Sequence, residues 1–313
     1  MTHSLLIQDG ALPPALQARL AKVYDVQVLP QPGAERDAFL NAHGTGAEAL
    51  ATNARFGCDA SLASRLPNLK VVSSLGVGLD AIELPALRAR EISVGYTPEV
   101  LNDCVADIAF ALLMAVTRRV VAADGFVRRG DWLKGQFPMG TRVSGKRLGI
   151  VGMGRIGSVV ARRATGFDME VRYHNRRPVP TSPLAYADSI RELAEWADFL
   201  VVVTAGGSET RGIISREALD ALGPKGYLIN VSRGSVVDEA VLIEYLQQKR
   251  IAGAGLDVYE SEPNVPEVLR ALDNVVLLPH IASNTEETRA AMMQRVEDNL
   301  AAFFSGRALP SAA

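Results

Sequence analysis

The sequence predicts an α/β protein built from two doubly wound parallel-sheet domains. Short apolar runs alternate with helical segments along the whole chain. A second series of runs opens on a strand followed by a glycine-rich turn. At 313 residues the chain also exceeds one ordinary core, with about 150 residues per domain as the prior.

The elements follow in order. Ser4–Ile7, Tyr24–Leu29, Ala49–Thr52, Lys70–Ser74 and Ile92–Tyr96 read as strands, separated by helices around Pro14–Lys22, Arg36–Ala42 and Cys58–Ser64. A long helix is predicted from Asn102 to Ala123, with Asn102 or Asp103 as N-cap and Val105, Ile108, Ala109, Leu112, Leu113 and Val116 on one face. A polar stretch, Arg128–Lys146, leads to a second strand series: Leu148–Val151, Glu170–Tyr173, Phe199–Val203, Leu228–Asn230, Gly253–Leu256 and Val275–Leu278. The last helix, Glu286–Phe304, is expected to return to the first domain. The expected division is therefore 1–98, completed by 285–313, and 99–284.

Composition excludes several classes. Hydrophobic residues make up 48% and charged residues 22%, which is globular rather than disordered or fibrous. Lys+Arg 33 against Asp+Glu 35 provides no basic field for nucleic acid or an anionic membrane. The longest apolar run, Ile108–Val116, is too short to span a bilayer, and the amino terminus reads as a strand, not a signal peptide. A cytoplasmic location is the expectation. The two cysteines cannot make a disulfide framework, and no pair of residues has metal-ligand spacing.

Chemistry enters at Gly152-Met153-Gly154-Arg155-Ile156-Gly157, which sits between a strand and a helix. Gly152 suits the tight turn, Gly154 the close approach of a pyrophosphate, and Gly157 helix–strand packing. The helix N-terminus adds free N–H groups and partial positive charge. The next strand ends in Asn175-Arg176-Arg177, where an acid would select NAD by binding the ribose 2′-OH. Two guanidinium groups suit a 2′-phosphate instead, so NADP(H) is the preferred cofactor and NAD(H) the second option.

Three later strands end in a potential catalytic set. Arg233 follows Leu228–Asn230, Glu262 lies beyond Gly253–Leu256, and His280 follows Val275–Leu278. Ligands of open α/β sheets bind beyond the carboxyl ends of strands, where all three are aimed. Glu260 competes with Glu262 as the histidine's partner, and spacing favours Glu262. His3, His43 and His174 have no partner at catalytic spacing and read as surface or strand-end residues.

At these motifs the chain resembles the D-isomer-specific 2-hydroxyacid dehydrogenase family. The likeness rests on the glycine fingerprint, Ser232-Arg233-Gly234, Glu262-Pro263, Pro279-His280 and the early loop Ser74–Asp80. Glu262 and His280 lie 29 and 47 residues beyond Arg233, in agreement with family spacing. Val127–Trp132 and Asn175–Arg177 point to the glyoxylate/hydroxypyruvate and hydroxyphenylpyruvate reductase branch. The resemblance implies two Rossmann/flavodoxin-like domains with the active site in the cleft between them, and a hydride-transferring enzyme acting on small 2-oxoacids. Arg233 would grip the substrate, Glu262 orient His280, and His280 exchange a proton. Val77 and Gly78 would hold the substrate carboxylate, Asp257 would meet the nicotinamide carboxamide, and Val231 and Ser232 would line the cofactor cleft. It further implies a homodimer through residues near 100–145, with Trp132 a candidate to approach the neighbouring active site.

Two residues depart from the family pattern after the histidine. Ala282 adds a methyl where the family often has less, and Asn284 adds an amide nearby. An alternative of another class is a dinucleotide-sensing, corepressor-like binding protein on the same scaffold, because function belongs to the site and not to the fold.

Overall fold

A computed structural model, describing residues 2–313, places every strand in one of two sheets whose strand pairs are all parallel. The chain divides into two units: residues up to Leu101 together with Thr285–Ala313, and Asn102–Asn284.

In the first unit the elements are β1 (Ser4–Gln8), α1 (Pro14–Leu20), β2 (Asp25–Leu29), α2 (Ala34–His43), β3 (Ala49–Asn53), α3 (Ala60–Ser64), β4 (Val71–Leu75), α4 (Leu84–Ala89) and β5 (Ser93–Gly95). The sheet order β2-β1-β3-β4-β5 reverses direction beside β1, the doubly wound pattern. Strand β4 is buried along its whole length, as a central parallel strand covered on both faces should be.

The second unit runs α5 (Asn102–Thr117), α6 (Val120–Arg128), β6 (Arg147–Val151), α7 (Arg155–Ala164), β7 (Glu170–His174), β8 (Ala185–Tyr186), α8 (Ile190–Trp196), β9 (Phe199–Val202), α9 (Arg216–Leu222), β10 (Tyr227–Asn230), α10 (Glu239–Gln247), β11 (Gly253–Leu256), α11 (Glu267–Arg270) and β12 (Val275–Leu277). The last helix, α12 (Glu286–Phe304), belongs to the first unit. There it packs on β4 and β5. Ser73 Oγ donates to the Val296 carbonyl at 3.3 Å, and buried Asn299 donates to the Tyr96 carbonyl at 3.1 Å. A Cβ on Gly95 would lie 2.7 Å from Asn299 Nδ2, so glycine is what lets this helix seat.

The seven strands of the second unit are ordered β12-β11-β10-β9-β6-β7-β8, which puts the reversal between β6 and β9. Glycine again sets a close approach, since a Cβ on Gly255 would sit 2.9 Å from Leu112 Cβ of α5. The carboxyl ends of β6, β7 and β9 to β12 share one edge of this sheet, and the predicted chemistry falls there.

Two local expectations are corrected, and one strand was not foreseen. The helix expected over Asn102–Ala123 ends at Thr117, because Arg119 adopts left-handed φ 54° and the Thr117 carbonyl accepts from Thr141 N at 2.8 Å. Periodicity ran across that break, yet Val120 and Val121 lie on the surface at 51% and 63% exposure. Asn102 is the first helical residue, not the cap, and its Oδ1 has no partner among the described residues. Strand β8 went unpredicted, since two residues carry no periodic signal. Along the chain the first division into units falls at Leu101/Asn102, where buried Leu101 gives way to the start of α5.

Candidate active site

The site grows from two groups of loops on that edge of the second unit. The first surrounds β6. Gly152 has φ 106°, and a Cβ on it would meet Thr204 N at 2.7 Å. On Gly157 a Cβ would meet the Gly152 carbonyl at 2.2 Å, which leaves α7 no room for any other residue. Gly154 differs, because nothing lies within 4 Å of the Cβ it lacks. Packing therefore explains two of the three glycines, while the third faces open space at the start of α7. That is the cradle a pyrophosphate requires, with helix N–H groups pointing into it.

Asn175, at the end of β7, braces this turn. Its Oδ1 accepts from Met153 N at 2.6 Å, and its Nδ2 donates to the Met153 carbonyl at 3.2 Å. The residue standing in place of the usual acid is thus spent on the glycine turn. Arg176 and Arg177 project from the same loop, exposed, with Arg176 ion-paired to Glu209. These residues fit a phosphorylated ribose better than a free 2′-OH, which needs an acceptor.

The second group follows β10, β11 and β12. Buried Asn230 organises the Arg233 loop: its Oδ1 accepts from Ser232 N (3.0 Å) and Oγ (2.8 Å), and its Nδ2 donates to the Arg233 carbonyl (2.9 Å). Ser232 is buried in that network, as is Val231, whose N–H donates to the Val202 carbonyl at 3.2 Å. A Cβ on Gly234 would lie 1.8 Å from the Tyr259 carbonyl carbon, so the loops after β10 and β11 touch only because residue 234 is glycine.

Asp257 is fully buried and anchors the segment bearing His280. Its oxygens accept from Ile281 N and Ala282 N, each at 2.8 Å, and its carbonyl accepts from His280 N at 2.9 Å. Burial pushes the Asp257 carboxyl up, and the two N–H bonds offset this only in part. Each oxygen takes one N–H of this loop and keeps a further lone pair, so the carboxylate can still accept from another donor. His280 itself holds φ 54°, an uncommon backbone state for a non-glycine residue, enforced by these bonds.

Glu262 Oε2 lies 2.8 Å from His280 Nδ1, and Oε1 accepts from Tyr259 N at 3.0 Å. An ionised carboxylate only accepts, so Nδ1 carries a proton and Nε2 is left for exchange. Burial pushes the Glu262 carboxyl up. The bond from His280, the Tyr259 N–H and the charges of His280 and Arg233 outweigh it and hold the group below the ordinary carboxylate range. Arg233, Glu262 and His280 therefore act on one another from three successive strands. Glu260, the competing acid, is instead paired with Arg211 at 2.8 Å.

Other sequence candidates lie elsewhere. His3 pairs with Glu48 at 2.9 Å and stacks on Phe304, His43 lies against Phe39, and His174 bonds the Ala187 carbonyl at 2.9 Å. Ala282 is buried and holds Asp257, and exposed Asn284 closes a turn onto the Ile281 carbonyl at 2.8 Å. Val77 and Gly78 belong to the first unit, just after β4. There Gly76 and Thr97 exchange two 3.0 Å bonds. Sequence reading missed Asn230 and Tyr259. The Tyr259 hydroxyl donates to the Leu278 carbonyl at 2.9 Å and ties the end of β12 to the loop after β11. Their only signal was proximity to Arg233 and Glu262. Among the described residues no group of three or more His, Cys, Asp or Glu could hold a metal, and no helix is long and apolar enough to cross a membrane.

A glycine cradle beside β6 and an Arg, Glu and His set beyond β10 to β12 define a dinucleotide-dependent oxidoreductase. A family model for the D-isomer specific 2-hydroxyacid dehydrogenase, NAD binding domain, matches residues 110–282. The chain is 49% identical over 276 residues, 88% of each protein, to a hydroxyphenylpyruvate reductase of Plectranthus scutellarioides. It is 46% identical over 275 residues, again 88% of each, to a glyoxylate/hydroxypyruvate reductase of Arabidopsis thaliana. The solved NADPH-dependent glyoxylate/hydroxypyruvate reductase of Sinorhizobium meliloti, in complex with NADP and malonate, aligns with TM-score 0.93 at 37% identity, covering 100% of this chain and 97% of that one. The chain belongs to the D-isomer specific 2-hydroxyacid dehydrogenase family and is an oxidoreductase. These relatives are reductases, which does not favour the sensor alternative.

Proposed function

We propose that this protein reduces small 2-oxoacids, such as glyoxylate, hydroxypyruvate and aryl pyruvates, to D-2-hydroxyacids with NADPH. The observation that carries the reading is the 2.8 Å Glu262–His280 bond at the sheet edge that also bears Arg233. Arg233 offers a planar, permanently charged fork to the substrate carboxylate and carbonyl oxygen. His280, held by Glu262 at Nδ1, gives the proton at Nε2 to the carbonyl oxygen as it becomes an alkoxide. Bound in the second unit, NADPH would supply the hydride for this reduction. Gly152–Gly157 would hold the pyrophosphate, Val231 and Ser232 would line the cofactor's path, and Arg176 and Arg177 would hold the 2′-phosphate. On this reading the second unit is the NADP-binding domain and the first the substrate-binding domain, with the Val77 and Gly78 N–H groups given to the substrate carboxylate.

The expected result is NADPH oxidation that depends on added 2-oxoacid, with catalytic efficiency higher for NADPH than for NADH. Replacing Arg176 and Arg177 together by Gln should raise the Michaelis constant for NADPH far more than that for NADH. Equal or better efficiency with NADH in the unaltered enzyme would reject the cofactor assignment. Oxidation of either cofactor at a rate independent of 2-oxoacid would reject the reaction.

A homodimer in the cytoplasm completes the reading. Support for the dimer comes from exposed apolar side chains on α6 and beyond, with Val127, Trp132, Leu133 and Met139 at 55%, 69%, 94% and 97% exposure. Light scattering should give twice the chain mass, and Leu133→Asp with Met139→Asp should shift the enzyme toward monomer.

A further inference from the structure

The ion pair between Arg176 and Glu209 crosses the cofactor edge of the second unit. Arg176 follows β7, Glu209 lies in a 3₁₀ turn after β9, and β6 with its glycine turn runs between those two strands. The bridge thus spans the strand whose end forms the pyrophosphate cradle. We propose that Glu209 is a specificity-determining residue: its carboxylate occupies Arg176 until the 2′-phosphate of the dinucleotide displaces it. The proposal rests on the NADPH reading above and adds a residue that no acid-or-arginine rule at the end of β7 would disclose.

Three features support an exchange of partners. First, both side chains are largely exposed, at 80% and 76%, so the pair is weak enough to give way to a doubly charged phosphate. Second, Glu209 is held from its own side. Arg211 pairs with Glu260 at 2.8 Å, Gly212 N donates to the Ser235 carbonyl at 2.8 Å, and Thr210 Oγ1 donates to the Ala205 carbonyl at 2.8 Å. The turn therefore stays in place when Arg176 rotates away. Third, Asn175 is fastened to Met153, so the rotation belongs to Arg176 alone and need not disturb the glycine turn.

The test measures dissociation constants for NADPH and NADH by nucleotide fluorescence in wild type, Glu209→Gln, Arg176→Gln and the double variant. Glu209→Gln should tighten NADPH by about two- to fivefold, the scale of one exposed ion pair, and leave NADH nearly unchanged. In the Arg176→Gln background that gain should vanish, because the group being competed for is gone. A gain that persists without Arg176 would overturn the exchange and indicate direct repulsion of the phosphate. Unchanged NADPH affinity in Glu209→Gln would overturn it as well. A wild-type enzyme that binds both nucleotides equally would instead reject the NADPH reading, so the two failures are distinguishable.

Discussion

The two loop groups on the sheet edge of the second unit are built differently. Beyond β10 to β12 the polar groups that brace the exposed His280–Glu262 pair are themselves buried and mutually committed: Asn230 and Asp257 are 1% and 0% exposed, and each oxygen of Asp257 has an N–H partner. Beyond β6 and β7 the charged groups are exposed, and Arg176 holds only a surface carboxylate. A proton transfer needs its donor placed to a fraction of an ångström, which buried and fully satisfied networks provide. A phosphate needs charge more than position, and exposed arginines can turn to meet it. Mutations in the first group should therefore appear in turnover, and those in the second in nucleotide affinity.

The sharpest test is His280→Ala. Turnover should fall by about 10²–10⁴-fold, the usual range for a general acid, while NADPH affinity changes little. A comparable loss of affinity, measured by fluorescence titration, would erase the division between the groups.

Next come the glycines, where the two kinds of constraint separate within one motif. Gly157→Ala forces a methyl to 2.2 Å from the Gly152 carbonyl and should lower the melting temperature of the free enzyme, at a cost of about 1–3 kcal/mol. Gly154→Ala meets nothing within 4 Å and should leave melting unchanged. It should still weaken NADPH binding by roughly tenfold, the cost of about one charge-assisted hydrogen bond to the pyrophosphate. Equal thermal shifts in the two variants would contradict the assignment of Gly154 to the ligand.

The smallest expected effect concerns pH. Glu262 lies below the ordinary carboxylate range and stays ionised through neutrality, so its charge is lost only as pH falls below that range. The ionised carboxylate holds the proton on His280 Nδ1, so activity should fall on the acid side as Glu262 is protonated. Glu262→Gln keeps an acceptor but cannot titrate, and that acid-side fall should disappear. A pH–rate profile superimposable on wild type would show that the Glu262 charge does not set it.

By itself the sequence determined the class of fold and singled out the groups proposed to react. Parallel strands buried on both faces must be continuous apolar runs, and a glycine turn between strand and helix has few other uses, so both are written locally. The Glu262 and His280 positions were legible for the same reason, as residues just past strand ends. What only the tertiary structure decided was how those residues are held. Asn230 serves Arg233 through its own main chain, Asp257 reaches across 24 residues to Ile281, and Tyr259 joins two strand ends. Glu209 meets Arg176 from 33 residues away across an intervening strand. The end of α5 at Thr117 was equally hidden, since apolar periodicity continues past it and a left-handed Arg119 leaves no mark in composition. Periodicity reports which side of an element is buried. It does not report which loops lie side by side at a sheet edge, because strand order, set by the packing of the whole unit, brings them together.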